Sequence, residues 1–472
     1  MTEQRRERPP ERIRRLAARF RRSELGGLAE DTGYVAVVQG AVVAAALVQL
    51  ALITHVLGLA EYGRFALVVA FPTLVWAFFN LRVDIGATTY GARYARDMRS
   101  AVGVFQLSYL IDIASGLVFM IVIAALTVLF GTGIAGGVGP EVVLVFAISL
   151  LGRNVEAVPL VVLRQLNRFK LVAVATCATE LARLVMVFVA LSVWRSLFAV
   201  AAAIAIGTLG AAVIKAVLAA RVFARDFPDQ RLTRPAVGHI PPDDRRSLKR
   251  TIFQSNLLSF EGIAQVQVPT LLLGAFAGVT ETGLYKVGMA IAALIGSVAA
   301  PVSGALLPRV SRLWSQERFV DLRRLLKQAT FITVPLIALL YLLVVLLRNP
   351  ILELIGGGPE ARAAGTVLIL GAGGQAVAAA VFWRSNMLHA AHRTGVVAGV
   401  SIIGAALQVA LVLLLVPPFG AEGAALAFLL SRIFINGTLG YRAIRTLNNA
   451  IARQTLQAPA CDQPDLMPTR PG

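Results

Sequence analysis

The sequence predicts an all-α polytopic membrane protein of about twelve transmembrane helices, arranged as two six-helix lobes related by a parallel repeat. Three observations predict it. Of the 472 residues 57% are hydrophobic and only 15% charged, with a mean hydropathy of +0.73, whereas soluble domains carry about 25% charged residues. A turn, Gly58-Leu-Ala-Glu61-Tyr-Gly63-Arg-Phe65, recurs as Gly278-Val-Thr-Glu281-Thr-Gly283-Leu-Tyr285, each copy in a short polar break between two apolar stretches. Most Lys and Arg residues fall on one side of the spans that these breaks define.

Apolar spans are placed at 33–57, 64–83, 105–130, 141–163, 171–193 and 197–220, and again at 253–276, 284–307, 329–347, 363–385, 395–416 and 420–441. Lipid leaves backbone polar groups no partner but the chain itself, so the spans are helices, and no alternating pattern suggests a barrel. An even number of spans separates the two turn copies. Both halves therefore cross the membrane in the same sense, an arrangement used by transporters that hold cargo between two lobes.

The formal charge of +19 invites a nucleic-acid reading, but its distribution argues against one. The basic residues concentrate in the segments that share a side with the N-terminus, and the opposite break from Gly131 to Glu141 has none. That is the positive-inside pattern, and it puts both termini in the cytoplasm. No base-reading or nucleic-acid module is visible.

The domain reading follows. Residues 1–32 form a basic cytoplasmic segment, with Ile13, Leu16, Ala17 and Phe20 on one helical face: either an interfacial helix on anionic lipid or a solvated tail that sets topology. No cleavable signal pattern follows it. Residues 33–220 are the first lobe, and 221–252 are a proline-rich basic linker in which Asp243 and Asp244 are expected to cap the next helix. Residues 253–445 are the second lobe, and 446–472 a polar, disordered tail. The basic break Pro308–Gln328 is expected to hold a short surface helix, and Gly356-Gly-Gly-Pro359 to open another helix. Pro72, Pro159, Pro269, Pro301 and Pro335 fall inside spans as hinges or static bends.

Catalytic signals are absent. Cys177 and Cys461 cannot pair, His55, His239, His389 and His392 do not cluster as metal ligands, and no Gly-rich phosphate loop occurs. The chain is read as a non-enzyme without cofactor or metal.

Charges at mid-span are the sharpest candidates, each costing roughly 2.5–3.5 kcal/mol at a span centre. They are Arg153 and Glu156 in the fourth span, Glu180 and Arg183 in the fifth, and Arg432 in the twelfth. Each of the first two pairs is three residues apart, so Arg153–Glu156 and Glu180–Arg183 are expected to neutralise themselves along one helix face. Polar stripes run Thr176, Thr179, Glu180, Arg183 on the fifth span, Gln254, Glu261, Gln265 on the seventh, and Thr73, Asn80, Asp84 on the second. Such stripes imply a shared aqueous cavity, or else internal ion pairs that merely ease insertion. Arg82, Asp84, Asp112, Lys215 and Glu261 are placed nearer the cytoplasmic side. Arg153, Arg183, Arg432, Lys215 and Arg82, with Glu156, Glu180 and Glu261, form the candidate binding set. Its cations suit a phosphate group, which guanidinium grips bidentately.

The chain resembles the polysaccharide and O-antigen (Wzx-type) flippases of the multidrug/oligosaccharidyl-lipid/polysaccharide (MOP) exporter superfamily. The resemblance covers roughly residues 33–445. It is carried by Leu57–Phe65 and its copy at 278–285, Leu354-Ile-Gly-Gly-Gly-Pro-Glu-Ala361, and Val416-Pro-Pro-Phe-Gly-Ala-Glu-Gly-Ala-Ala425. It implies the MATE-like MOP fold in a bacterial inner membrane. It also implies alternating access that moves a polyprenyl-diphosphate-linked oligosaccharide outward for lipopolysaccharide or other surface polysaccharide synthesis, with a polymerase and chain-length proteins as further partners. The rivals are a cation-coupled drug exporter and a lipid II flippase. The first span lacks the acidic residue that drug-extruding relatives often use, and the two extra spans typical of lipid II flippases are not found.

Overall fold

Long apolar runs broken by one or two polar residues leave the backbone no option but helix, and helix is what forms. The computed structural model describes residues 37–94, 97–130, 133, 136–228, 232 and 236–457, except for the side chains of some positions in the seventh and eighth spans and at the C-terminal end. Among these residues no strand occurs. The helices are α1 (Val37–Leu57), α2 (Leu59–Phe79), α3 (Val83–Arg93), α4 (Met98–Phe130), α5 (Pro140–Gln165), α6 (Phe169–Trp194) and α7 (Leu197–Asp226). After them come α8 (Pro242–Phe276), α9 (Val279–Ser315), α10 (Phe319–Leu346), α11 (Arg348–Gly356), α12 (Gly365–Ala380), α13 (Arg384–Ala390) and α14 (Thr394–Gln457). Among the described residues nine helical segments are long and apolar enough to cross a membrane. With α14 broken at Gly420, and α8 and α9 standing where the seventh and eighth spans were expected, the helices account for the twelve expected spans. The basic N-terminal segment and the tail beyond residue 457 lie outside the described residues.

Three local expectations are corrected. The second span is not one helix: α2 ends at Phe79, Arg82 turns through a left-handed conformation (φ 49°), and Asp84 lies in the first turn of the separate helix α3. No surface helix forms between Pro308 and Gln328, because α9 runs on to Ser315 and α10 begins at Phe319. Pro241 caps α8, and Asp243 and Asp244 lie inside its first turn. There Asp244 is free to bond elsewhere, and it does. The expected helical start at Pro359 is present as a 3₁₀ turn, Pro359–Ala364, leading into α12.

The contacts divide the chain into two compact units. The first contains the described residues up to Val287 together with Leu352–Ala361; the second contains Gly288–Ile351 and the described residues from Arg362 onward.

In the first unit the repeated turn does the same work twice. Gly58 and Gly278 adopt the same positive φ (89° and 88°), which only glycine takes without strain, and each starts a new helix one residue on. Further into each copy, Gly63 lies against the Val279 carbonyl, and Gly283 lies against the Leu59 carbonyl. The two copies face each other, glycine to backbone. A Cβ at Gly63 would stand 1.8 Å from the Val279 oxygen.

Farther along, α8 lies on α2 and α3. Asn256 Nδ2 donates to the Phe78 carbonyl at 2.8 Å, and Leu248 and Ile252 are buried in a cluster with Val83, Ala87 and Phe223. The approach to α8 is stapled to the ends of α3 and α4. Gln106 Nε2 donates to the Leu232 carbonyl at 2.7 Å, and the Ala236 amide donates to Gln106 Oε1 at 2.8 Å. Arg93 reaches Asp244 at 2.8 Å, Tyr94 OH donates to the same carboxylate, and Tyr90 OH donates to Ser247 at 2.5 Å. Partial burial, then the hydrogen bond to Asp244, pushes the Tyr94 hydroxyl up to about 12. Asp97 is held below its ordinary value chiefly by the hydroxyl of Ser100, 2.5 Å away.

In the second unit α12 packs on α14, with Gly374 against Phe428, and Trp383 Nε1 donates to Thr330 Oγ1 at 2.9 Å.

Candidate functional site

Polar side chains from α5, α6 and α7 meet in the interior of the first unit. Small residues let these helices approach: at Gly207 on α7 any Cβ would meet the Arg183 side chain at 2.8 Å. The resulting cavity, about 310 Å³, is lined by Arg153 and Glu156 of α5, Thr176, Thr179, Glu180 and Arg183 of α6, and Thr208 of α7, among others. The polar stripe expected on the fifth span is the α6 wall of this cavity.

Charge pairing inside it is only partly local. Arg183 bonds Glu180 on the same helix, as the spacing predicts; both side chains are less than one-fifth exposed. The expected Arg153–Glu156 pair does not form. Glu156 instead accepts from Lys215 Nζ of α7 at 2.5 Å, and Lys215 is 1% exposed. Lys215 is thereby joined to the charged cluster of α5 and α6. A tertiary partner has displaced the local one, because a buried ammonium left without a carboxylate would cost several kcal/mol. Arg153 is left exposed to the cavity, with no ion pair or hydrogen bond among the described residues. Three cations and two carboxylates share the site, which leaves a net positive charge, and Arg153 is the cation that no carboxylate bonds directly among the described residues.

Arg153 also borders a second cavity of about 220 Å³, lined by Arg82, Asp84, Asp112, Trp76 and Asn154 among others. There Arg82 grips Asp84 with two nitrogens, at 3.0 and 3.2 Å. Trp76 Nε1 donates to Asn154 Oδ1 at 2.9 Å. Asp112 is 2% exposed, and its Oδ2 has no hydrogen-bond partner among the described residues. Asn154 and Trp76 were not singled out from the sequence; the available signal was an amide beside Arg153 in an apolar span.

Of the eight predicted site residues, Arg153, Glu156, Glu180, Arg183 and Lys215 are gathered around the first cavity, and Arg82 lines the second. Arg432 belongs to the second unit, where its guanidinium lies over the Phe428 ring, 4.9 Å from the centroid. Glu261 sits on α8, with its side chain outside the described residues. No group of His, Cys, Asp and Glu able to hold a metal ion occurs among the described residues.

Long apolar helices with ionisable groups turned inward are those of a multi-pass membrane protein, and the solved structures it resembles give it the MOP transporter fold. Its structure is similar to the inward-facing conformation of a multidrug resistance MATE family transporter of the MOP superfamily (14% identity, 86% of this chain and 95% of the other, TM-score 0.66). It is equally similar to lipid II flippase MurJ in an inward closed conformation (13%, 89% and 90%, TM-score 0.66). A third likeness is to a MOP superfamily transporter from Pyrococcus furiosus described as having a binding pocket of reverse polarity (13%, 90% and 96%, TM-score 0.62). No curated protein sequence matches the chain. The sequence model of the polysaccharide biosynthesis protein family matches residues 28–314, and that of MatE matches residues 267–414. The chain belongs to the polysaccharide biosynthesis protein family.

Proposed function

We propose that the protein is a bacterial inner-membrane flippase that carries a polyprenyl-diphosphate-linked oligosaccharide from the cytoplasmic to the outer leaflet. The observation that carries this reading is Arg153. The other two cations of the cavity are already matched by carboxylates, so the charge left for a ligand is positive and its donor is a guanidinium. A diphosphate offers the planar oxygen pairs that guanidinium binds with two hydrogen bonds. A cationic drug would meet a repelling charge at the same place. Membership of the polysaccharide biosynthesis family supports a lipid-linked sugar over a drug.

In this reading both termini are cytoplasmic, and the lobes 33–220 and 253–445, joined by 221–252, rock about the cargo. The repeated turns then form an outer closure and the Asp244 staples an inner one. Glu156 and Glu180 hold Lys215 and Arg183 in position, and Thr176, Thr179 and Thr208 supply hydroxyls beside the phosphate. A polysaccharide polymerase would receive the product outside.

The test is flipping of a fluorescent polyprenyl-diphosphate oligosaccharide in proteoliposomes. Arg153→Ala should slow it about ten- to hundred-fold, the equivalent of about 1.5–3 kcal/mol for hydrogen bonds to a charged group. Arg153→Lys should retain part of the rate, since the charge stays while the fork is lost. Full transport by Arg153→Ala at normal abundance, or transport of a cationic dye in place of the lipid-linked sugar, would sink the proposal.

A further inference from the structure

A cavity of the second unit has a chemistry different from that of the charged cluster. It measures about 920 Å³ and opens between the N-terminal half of α10 and the last turns of α14, with Trp383, which precedes α13, in its wall. Its body is apolar: Phe331 and Ile332 on α10 and Ile444 on α14 are 81%, 70% and 50% exposed. Its mouth is basic: Arg323 and Lys327, one helical turn apart on α10, both line it, and among the described residues no carboxylate does. The nearest carboxylate in sequence, Asp321, is engaged by Arg318 at 2.7 Å.

An apolar trough ending in two adjacent cations matches the shape of one lipid molecule, with chains below and an anionic headgroup above. We infer that this groove is a binding site for an anionic glycerophospholipid of the leaflet that faces the basic loops, with the phosphodiester between Arg323 and Lys327 and an acyl chain along Phe331, Ile332 and Ile444. Basic clusters at the cytoplasmic ends of transmembrane helices attract anionic headgroups, each cation contributing about five-fold in affinity. The indole of Trp383 is fixed by its hydrogen bond to Thr330, so the wall is preformed and little ordering is required on binding. A zwitterionic lipid would fill the trough equally well but leave the two cations partly unmatched. The site does not depend on what the protein transports.

Trp383 makes the test direct, because it is one of only four tryptophans and the one that lines this groove. The full chain is placed in nanodiscs with brominated-chain phosphatidylglycerol or brominated-chain phosphatidylcholine. The quenching that disappears in Trp383→Phe reports the groove. Phosphatidylglycerol should bind there about 25-fold more tightly than phosphatidylcholine, from two cations at about five-fold each. The preference should collapse toward parity in Arg323→Gln with Lys327→Gln, and survive in the charge-keeping exchange Arg323→Lys with Lys327→Arg. Equal quenching by both lipids in the native chain would overturn the inference. So would an unchanged preference in the doubly neutral variant, or displacement of phosphatidylglycerol by stoichiometric polyprenyl phosphate, which would make the groove a carrier-lipid site.

Discussion

Replacing Gly63 by alanine tests whether the repeated turns form a closure. The new Cβ would stand 1.8 Å from the Val279 oxygen and 2.9 Å from the Gly283 nitrogen, where ordinary contact begins near 3.4 Å. Both obstructing atoms are backbone, so no side chain can swing aside, and the two turn copies must part by about 1.6 Å, the shortfall from ordinary contact. Overpacking of this kind typically costs about 1–3 kcal/mol. Only the conformation in which the copies touch bears that cost, so its population against any separated state should fall about five- to 150-fold. Thr282, within the second copy, is 0% exposed and supplies the reporter. A cysteine there, in a background without Cys177 and Cys461, should be modified by an impermeant thiol reagent from outside about five- to 150-fold faster when Gly63→Ala is added. Gly210→Ala, whose Cβ would meet nothing within 4 Å, is the control and should change nothing. A reporter rate within two-fold of the parent in Gly63→Ala, with the chain normally abundant, would refute the closure.

Three further outcomes are expected. Lys215→Met should lower thermal stability in detergent by about 3–5 kcal/mol by stranding Glu156, and adding Glu156→Gln should restore most of it; a single variant as stable as the parent would dissolve the pair. For topology, a cysteine at Glu360, exposed in the 3₁₀ turn, should label from outside intact cells, and one at exposed Gly238 should not; the opposite pattern would invert the orientation. The staples around α8 should have two pH limits. Asp97 has its folded value depressed, so its contribution is complete above the ordinary carboxylate value of 3.8 and is lost as pH falls through the lower folded value. Tyr94 has its value raised, so its contribution is complete below 10 and is lost as pH rises toward about 12. Amide exchange across 236–250 should therefore quicken at both extremes, and Tyr94→Phe should abolish the alkaline limb only.

How much was legible follows from which forces act locally. The spans could be read because apolarity over a helix length decides membrane insertion without help from the rest of the chain. Helix ends were less legible. Whether α9 stops at Pro308 or runs to Ser315 is a contest between adjoining turns of similar polarity, and the break at Arg82 depends on a left-handed residue that no strong turn signal marks. The Glu180–Arg183 pair could be read because three residues along a helix is a contact made by geometry alone. The Glu156 partner could not: spacing offered Arg153, while the fold offered Lys215, 59 residues away and almost wholly buried.

That substitution gives the site its sign. Had Arg153 paired with Glu156, Lys215 would be the unmatched cation, 1% exposed and unable to reach a ligand without being unburied. By taking Glu156, Lys215 settles the charge that burial would penalise most and leaves the uncompensated one on Arg153, which faces the cavity. A guanidinium is also the better of the two to leave unpaired, being more weakly hydrated than an ammonium and shaped for two parallel hydrogen bonds. In the proposed function, the energetic demand of burying Lys215 and the demand for an anion site are thus met by one carboxylate. Exchanging the two cations as Arg153→Lys with Lys215→Arg should for that reason hurt transport more than stability. An exchanged variant that folds and flips at the parent rate would show that the cavity needs only a charge and has no use for the fork.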